Sequence, residues 1–167
     1  TGTAVYSRDQ DHNQPRRLTL LAELRRAIDE DELRLVYHPQ VELRTGEVEW
    51  VEALVRWPHP TLGTLPPDEF VPIAEQSGLI YQLTRWILRR SLRQAAAWQR
   101  QGIPLGVAVN VSARDLQLPS MPDFIAASLR RYRVPASRLK VEITESSLID
   151  EPDQVLRAIS LLRARGV

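Results

Sequence analysis

The sequence predicts an α/β fold in which an antiparallel hairpin leads into a parallel sheet whose strands are separated by helices. Three observations carry that prediction. The apolar period changes from three-and-four spacing over Leu18–Ile28 to alternation at Leu33, Leu35 and Tyr37. A second alternating run, opening at Val48, follows the turn residues Arg44-Thr45-Gly46-Glu47. Beyond Trp57, the strand-length runs Val107–Val111 and Leu139–Ile143 alternate with helical stretches of ten residues or more, which implies right-handed crossovers and parallel pairing.

Each element has its own warrant. Ala4-Val5-Tyr6 reads as a strand end, and the polar stretch Ser7–Arg17, with Asp9, Asp11, Asn13 and Pro15, reads as a linker. Leu18, Leu21, Leu24 and Ile28 form one helical stripe, so residues 18–32 are expected to be a connecting helix ending in the acidic cluster Asp29–Glu32. The Pro, Gly and Thr residues of Pro58–Pro67 predict a loop. Asp68 and Glu69 ahead of Phe70, Ile73 and Ala74 predict a helix start, with Gly78 as its stop. Leu83, Ile87, Leu88, Leu92, Ala95 and Trp98 predict a longer helix, closed near Gly102. Pro122–Tyr132 is the next helix, and Asp150, Pro152 and Asp153 open a last one whose stripe is Val155, Ile159 and Leu162 and which ends at Gly166.

Composition bounds the function. The chain has 167 residues, 43% of them hydrophobic, and 22 Lys+Arg against 21 Asp+Glu leave a formal charge of +1. A chain this long buries roughly 70% of its unfolded surface, enough for one sizeable core. Near-neutral charge gives no general pull on a nucleic-acid polymer or a membrane surface. The absence of cysteine excludes a disulfide scaffold, a thiolate zinc site and a cysteine nucleophile, and no apolar run approaches the roughly 20 residues of a membrane span. A cytoplasmic setting is the expectation. The polar opening contains no signal peptide, and Thr1 in place of Met points to an excised piece of something longer.

Three strands share one peculiarity, an oxygen-bearing side chain near the C-terminal end of an apolar run. Alternation over Val51–Trp57 puts Glu52, Leu54 and Arg56 on one face and Ala53 and Val55 on the other. Asn110 shares a face with Ala108, and Glu142 with Lys140 and Thr144. Parallel α/β folds build their sites at such strand ends, and two carboxylates with an amide oxygen are ligands of the kind that Mg²⁺, Mn²⁺ or Ca²⁺ takes. The plainer reading pairs Glu52 with Arg56 and Glu142 with Lys140, and leaves Asn110 to tie down a loop. Arg85, Arg89 and Arg93 read as a solvated face, His12 and His59 as solvated loop residues, Ser112 as a strand-end cap, and the four tryptophans as packing. No Walker loop or dinucleotide fingerprint is present.

Five ordered segments also carry a resemblance: Tyr37-His38-Pro39-Gln40, Glu52-Ala53-Leu54-Val55-Arg56-Trp57, Phe70–Glu75 with Gly78-Leu79-Ile80, Val109-Asn110-Val111-Ser112, and Glu142–Ser146. From about Leu33 to the end, the chain resembles the EAL domain, the family of cyclic di-GMP phosphodiesterases. The resemblance implies an incomplete TIM-type (β/α)8 barrel whose first strand is antiparallel, occupying residues 33–167. It places the family's metal ligands on Glu52, Asn110 and Glu142, the three positions reached by alternation, with Glu52 and Glu142 catalytic. It further implies that Leu54, Arg56 and His38 contact the substrate and that Glu145 steadies a loop beside the metals. The cofactor would be Mg²⁺ or Mn²⁺ in a two-metal site, and the reaction metal-assisted hydrolysis of cyclic di-GMP to linear pGpG. Residues 1–17 resemble the tail of a GGDEF domain, which would make the parent a tandem signalling protein.

Two departures qualify the match. His38 stands where the family usually has Gln, though its imidazole still donates one hydrogen bond. The chain stops at Arg165-Gly166-Val167, before the family's Asp-Asp pair, so the resemblance implies roughly the first half of a barrel that takes about 250 residues when complete. The expectation is that this portion alone hydrolyses nothing at a useful rate. A second reading is a non-catalytic cyclic di-GMP receptor or protein-interaction module of the same fold. An open sheet edge at the last strand would invite pairing with another copy, so a homodimer is expected, and a monodisperse monomer in sedimentation would count against it.

Overall fold

The computed structural model describes residues 8–103, 105–143 and 152–167, with side chains from residue 16 onward. Helix α1 (Arg8–Asp29) precedes the hairpin of β1 (Arg34–Val41) and β2 (Val48–His59), and the short β3 (Gly63–Leu65) folds back on β2. Helices α2 (Pro67–Ser77) and α3 (Ile80–Arg100) lead to β4 (Gly106–Asn110). Then come α4 (Ala113–Gln117), α5 (Met121–Tyr132), one 3-10 turn (Ala136–Arg138), β5 (Leu139–Glu142) and α6 (Pro152–Ala164). The predicted α/β class holds. The sheet runs β1-β2-β4-β5, antiparallel between β1 and β2 and parallel thereafter, with β3 paired to the far end of β2.

Alternation decides what each face of the sheet does. Val51, Ala53, Val55 and Trp57 on β2 are buried against the helices, joined by Val107 and Val109 on β4 and Leu139 on β5. From α2 and α3, Phe70, Leu83, Leu88 and Leu92 fill the opposing layer without solvent exposure, and Ile125 of α5 and Val155 of α6 extend it. Each such side chain contributes about 1.5–3 kcal/mol by leaving water. The other face is concave. Gln40 on one edge strand reaches Glu142 on the other at 3.2 Å, although two strands lie between them. A flat sheet would separate those strands by about 14 Å, so the sheet curls as a barrel wall does, but it does not close.

One glycine is required by that curl. A Cβ on Gly106 would lie 2.5 Å from the Trp50 ring, which folds across the start of β4. At Gly78, φ of 76° makes the left-handed cap of α2, its N–H bonded to the Glu75 carbonyl. Pro67 opens the same helix with Asp68 and Glu69 in the first turn, as the sequence predicts.

Several expectations are corrected. Arg8–Arg17 is helical rather than linker, so α1 is one 22-residue helix that takes in His12. Helix α1 packs on α2, with Arg17 bonded to Gln76. Within Pro58–Pro67, Pro58 and His59 belong to β2 and Gly63–Leu65 to β3, because Trp57↔Leu65 and His59↔Gly63 pairing needs only backbone groups and an edge position for Pro58. The strands predicted over 107–111 and 139–143 begin or end one residue earlier, and α4 was not expected. The strand end at Ala4–Tyr6, the helix opening at Asp150 and the supporting Glu145 lie outside the described residues.

Candidate active site

Strand β2 presents Glu52, Leu54 and Arg56 to the concave face, each half-buried, while its alternate residues are buried beneath the helices. Asn110 and Glu142 are the last residues of β4 and β5 and are Cα partners in the parallel ladder. The Asn110 amide donates from Nδ2 to Glu52 Oε1 at 2.7 Å. The three residues chosen by alternation therefore converge on one face of three adjacent strands. His38 is the cross-strand partner of Glu52 on β1 and is exposed on that same face.

The plainer pairings do not form. Arg56 donates from Nη1 to the carbonyl of its neighbour Val55 at 2.8 Å instead of meeting Glu52. Lys140 lies over the Trp50 ring, 4.3 Å from its centroid, with Nζ 3.5 Å from Gln40 Oε1. Glu142 accepts from Gln40 Nε2 instead. Gln40 is a site residue that sequence reasoning missed, although period two places it on the face of His38.

The donor set suits a hard divalent cation. Each carboxylate is met by a neutral amide rather than by a cationic side chain, so its charge is left uncompensated, and rotation of either amide presents an oxygen. Among the described residues no three His, Cys, Asp or Glu side chains come together, since the third oxygen here comes from an amide. Glu52, Asn110 and Glu142 are the residues that could hold such a cation.

A cleft of about 370 Å³ opens beside this cluster. Leu54, Asn110 and Glu142 line it together with Ala53 and Val55 of the helix-facing side of β2, and α2 and α3 contribute Val71, Glu75 and Thr84. Its rim is fixed by a capping box: the Asp115 N–H donates to Ser112 Oγ at 3.2 Å, and Asp115 Oδ2 accepts from the Ser112 N–H at 3.3 Å. The Ser112 hydroxyl at 2.8 Å and Thr84 Oγ1 at 2.7 Å donate to the same carboxylate oxygen. Asp115 is fully buried, and its Oδ1 has no partner among the described residues. Burial raises its pKa above the ordinary carboxylate value, opposed by the Thr84 and Ser112 hydrogen bonds and assisted by the charge of Glu75. The spacing Ser112-x-x-Asp115 was the available signal for α4. Ser112 therefore caps helix α4 rather than simply satisfying its own strand end.

Two surface readings change. Arg85 and Arg89 lie over the Phe124 ring of α5 at 4.8 and 5.4 Å, so they join helices rather than form a plain solvated face. His59 is buried, its Nδ1 accepting from the Thr61 and Leu62 N–H groups at 3.3 Å and its Nε2 donating to Glu23 of α1 at 3.1 Å. The tryptophans pack as expected, with Trp57 against Phe70 at 5.7 Å and Trp98 against Tyr37 at 4.8 Å. Burial pushes the Tyr37 hydroxyl up to about 12 against the opposing charge of Arg90. Among the described residues no helix is long and apolar enough to cross a membrane.

Comparison with known proteins places this geometry. A sequence profile of the EAL domain family matches residues 21–167. The cyclic di-GMP phosphodiesterase PA2567 of Pseudomonas aeruginosa is 42% identical over 165 residues, a match covering 98% of this chain but 28% of that protein. Among solved structures, the PaMucR phosphodiesterase in complex with c-di-GMP superimposes with a TM-score of 0.83 at 37% identity, over 89% of this chain and 61% of that one. The EAL domain of Xanthomonas citri FimX in complex with c-diGMP gives 0.82 at 26% identity, over 93% and 60%. The chain thus spans little more than a quarter of that curated relative and about three fifths of the solved chains.

Proposed function

The chain belongs to the EAL domain family, and we propose from that premise that it is part of a cytoplasmic phosphodiesterase that hydrolyses cyclic di-GMP to linear pGpG with Mg²⁺ or Mn²⁺. The observation that carries this reading is the 2.7 Å bond from Asn110 to Glu52, with Glu142 one strand away on the same concave face. Glu52, Asn110 and Glu142 would hold the cation. When bound, such a cation lowers the pKa of a coordinated water and offsets the charge that develops on the phosphate.

The chain's own residues do the rest. Arg56 leaves the Val55 carbonyl and turns its planar donor fork to a phosphate oxygen. Leu54 supplies apolar contact in the cleft, and His38 donates one hydrogen bond beside Glu52; the supporting role for Glu145 rests on the family resemblance alone. A second cation would need carboxylates beyond Glu52 and Glu142, and turnover would depend on them. A GGDEF-like domain ahead of α1 is part of the proposed parent protein.

The test is chromatography of nucleotide products from cyclic di-GMP and Mn²⁺, beside a Glu52→Ala control, together with a binding titration of the same nucleotide. Metal-dependent pGpG that vanishes in the control supports the hydrolase and overturns the expected inactivity of the chain. Binding with unchanged dinucleotide supports dependence on residues outside the chain, or the receptor reading. The absence of both binding and turnover overturns the proposal.

A further inference from the structure

One cross-strand pair on the concave face works against fold stability. Arg34 on β1 and Arg56 on β2 are Cα partners in the antiparallel ladder, so both side chains leave the same face from Cβ atoms about 5 Å apart. Like charges placed directly opposite each other are destabilising. Neither is relieved by a carboxylate among the described residues: Arg56 rests on the Val55 carbonyl, and Arg34 is exposed and forms no ion pair there. Other arginines do find acids, Arg26 at Glu30, Arg90 at Asp31 and Arg165 at Asp123.

Position gives the unrelieved pair a use. Along β2, Glu52, Leu54 and Arg56 share one face, and Arg56 lies two residues, about 7 Å, beyond Leu54. Leu54 lines the cleft with Asn110 and Glu142. Two guanidinium groups carried by one cross-strand pair suit a single phosphate group.

We propose that Arg34 is a substrate-binding residue that closes a two-guanidinium clamp with Arg56 on a phosphodiester of the bound cyclic dinucleotide, an inference that rests on the cyclic di-GMP reading above. Each guanidinium offers a fork to the phosphate oxygens, and the anion between them removes their mutual repulsion. The clamp needs no metal. Ligand binding and the Arg34–Arg56 pair are therefore coupled, and the free protein is the strained state.

The experiment titrates cyclic di-GMP in EDTA, where turnover cannot interfere, against the wild-type chain, Arg34→Gln, Arg34→Lys, Arg56→Gln and the double variant. Arg34→Gln is expected to bind about 10- to 100-fold more weakly, the loss that follows removal of a charge-assisted hydrogen bond. Arg34→Lys recovers part of it, and the double variant loses less than the product of the two single losses. Without ligand, Arg34→Gln melts at or above the wild-type temperature, which a structural role for Arg34 would not produce. Wild-type binding with Arg34→Gln within twofold of it, or a lower ligand-free melting temperature, overturns the clamp and leaves the cyclic di-GMP reading standing. Absence of wild-type binding overturns both.

Discussion

The two faces of the sheet are made of the same strands and obey opposite rules. On the helix side, residues such as Val51, Val55, Val107 and Val109 are apolar, small and buried. On the concave side the intervening residues include Glu52, Arg56, His38, Gln40, Asn110, Lys140 and Glu142; there carboxylates meet amides and Arg34 faces Arg56. Stability is built on one face and given up on the other, the arrangement expected where polar groups are held ready for a ligand.

The contrast is sharpened most by truncating one leucine on each side. Leu88 of α3 has no solvent exposure. Leu88→Ala is expected to cost about 2–5 kcal/mol in chemical denaturation, the range for a large core side chain replaced without collapse of the cavity. Leu54→Ala, on the half-buried concave side, is expected to cost less than about 1 kcal/mol while weakening cyclic di-GMP binding. If the two losses came out equal, the concave face would be a second core and not a binding surface.

Gly106 joins the two layers and gives the next largest effect. A methyl group there meets the Trp50 ring at 2.5 Å, and the ring is held in place by Lys140 above it. Gly106→Ala is expected to destabilise by about 1–3 kcal/mol, the usual size of overpacking. Trp50→Leu in the same chain should recover much of that loss. A double variant no better than Gly106→Ala would show that the glycine is needed for its backbone alone.

The same contrast explains which parts were legible in the sequence. Alternation found Glu52, Asn110 and Glu142 because period two survives wherever one face is buried. It equally contained Gln40 and Arg34, which went unread because nothing in a single strand says which residues on other strands they meet. Cross-strand register and sheet curl supplied that, bringing Gln40 to Glu142 and Arg34 to Arg56. The helical extension over Arg8–Arg17 was hidden because Asp, His and Asn are weak helix formers and no apolar stripe marks the segment. Helix α4 is five residues long, too short to show a period. The burial of His59 depends on two local N–H donors and on Glu23, 36 residues away, so loop composition misled.

Asp115 marks the boundary between the two faces, and it yields the smallest effect. Its carboxyl is buried like a core residue yet caps the helix beside the cleft, and among the described residues only one of its oxygens is hydrogen-bonded. Because burial raises its pKa in the folded state, the native protein binds a proton there that the unfolded chain releases at the ordinary carboxylate value. The sign follows. Below the unfolded pKa the group costs nothing, and as pH rises toward and through the raised folded value the native state is progressively destabilised. Asp115→Asn keeps an acceptor for Thr84 and Ser112 but cannot ionise. Denaturation of both proteins from about pH 4 upward, starting near the ordinary carboxylate value, should show the stability difference moving in favour of the asparagine variant as pH rises. Parallel pH profiles would mean that the carboxyl is solvated well enough to ionise without cost, and that the cleft rim belongs wholly to the concave face.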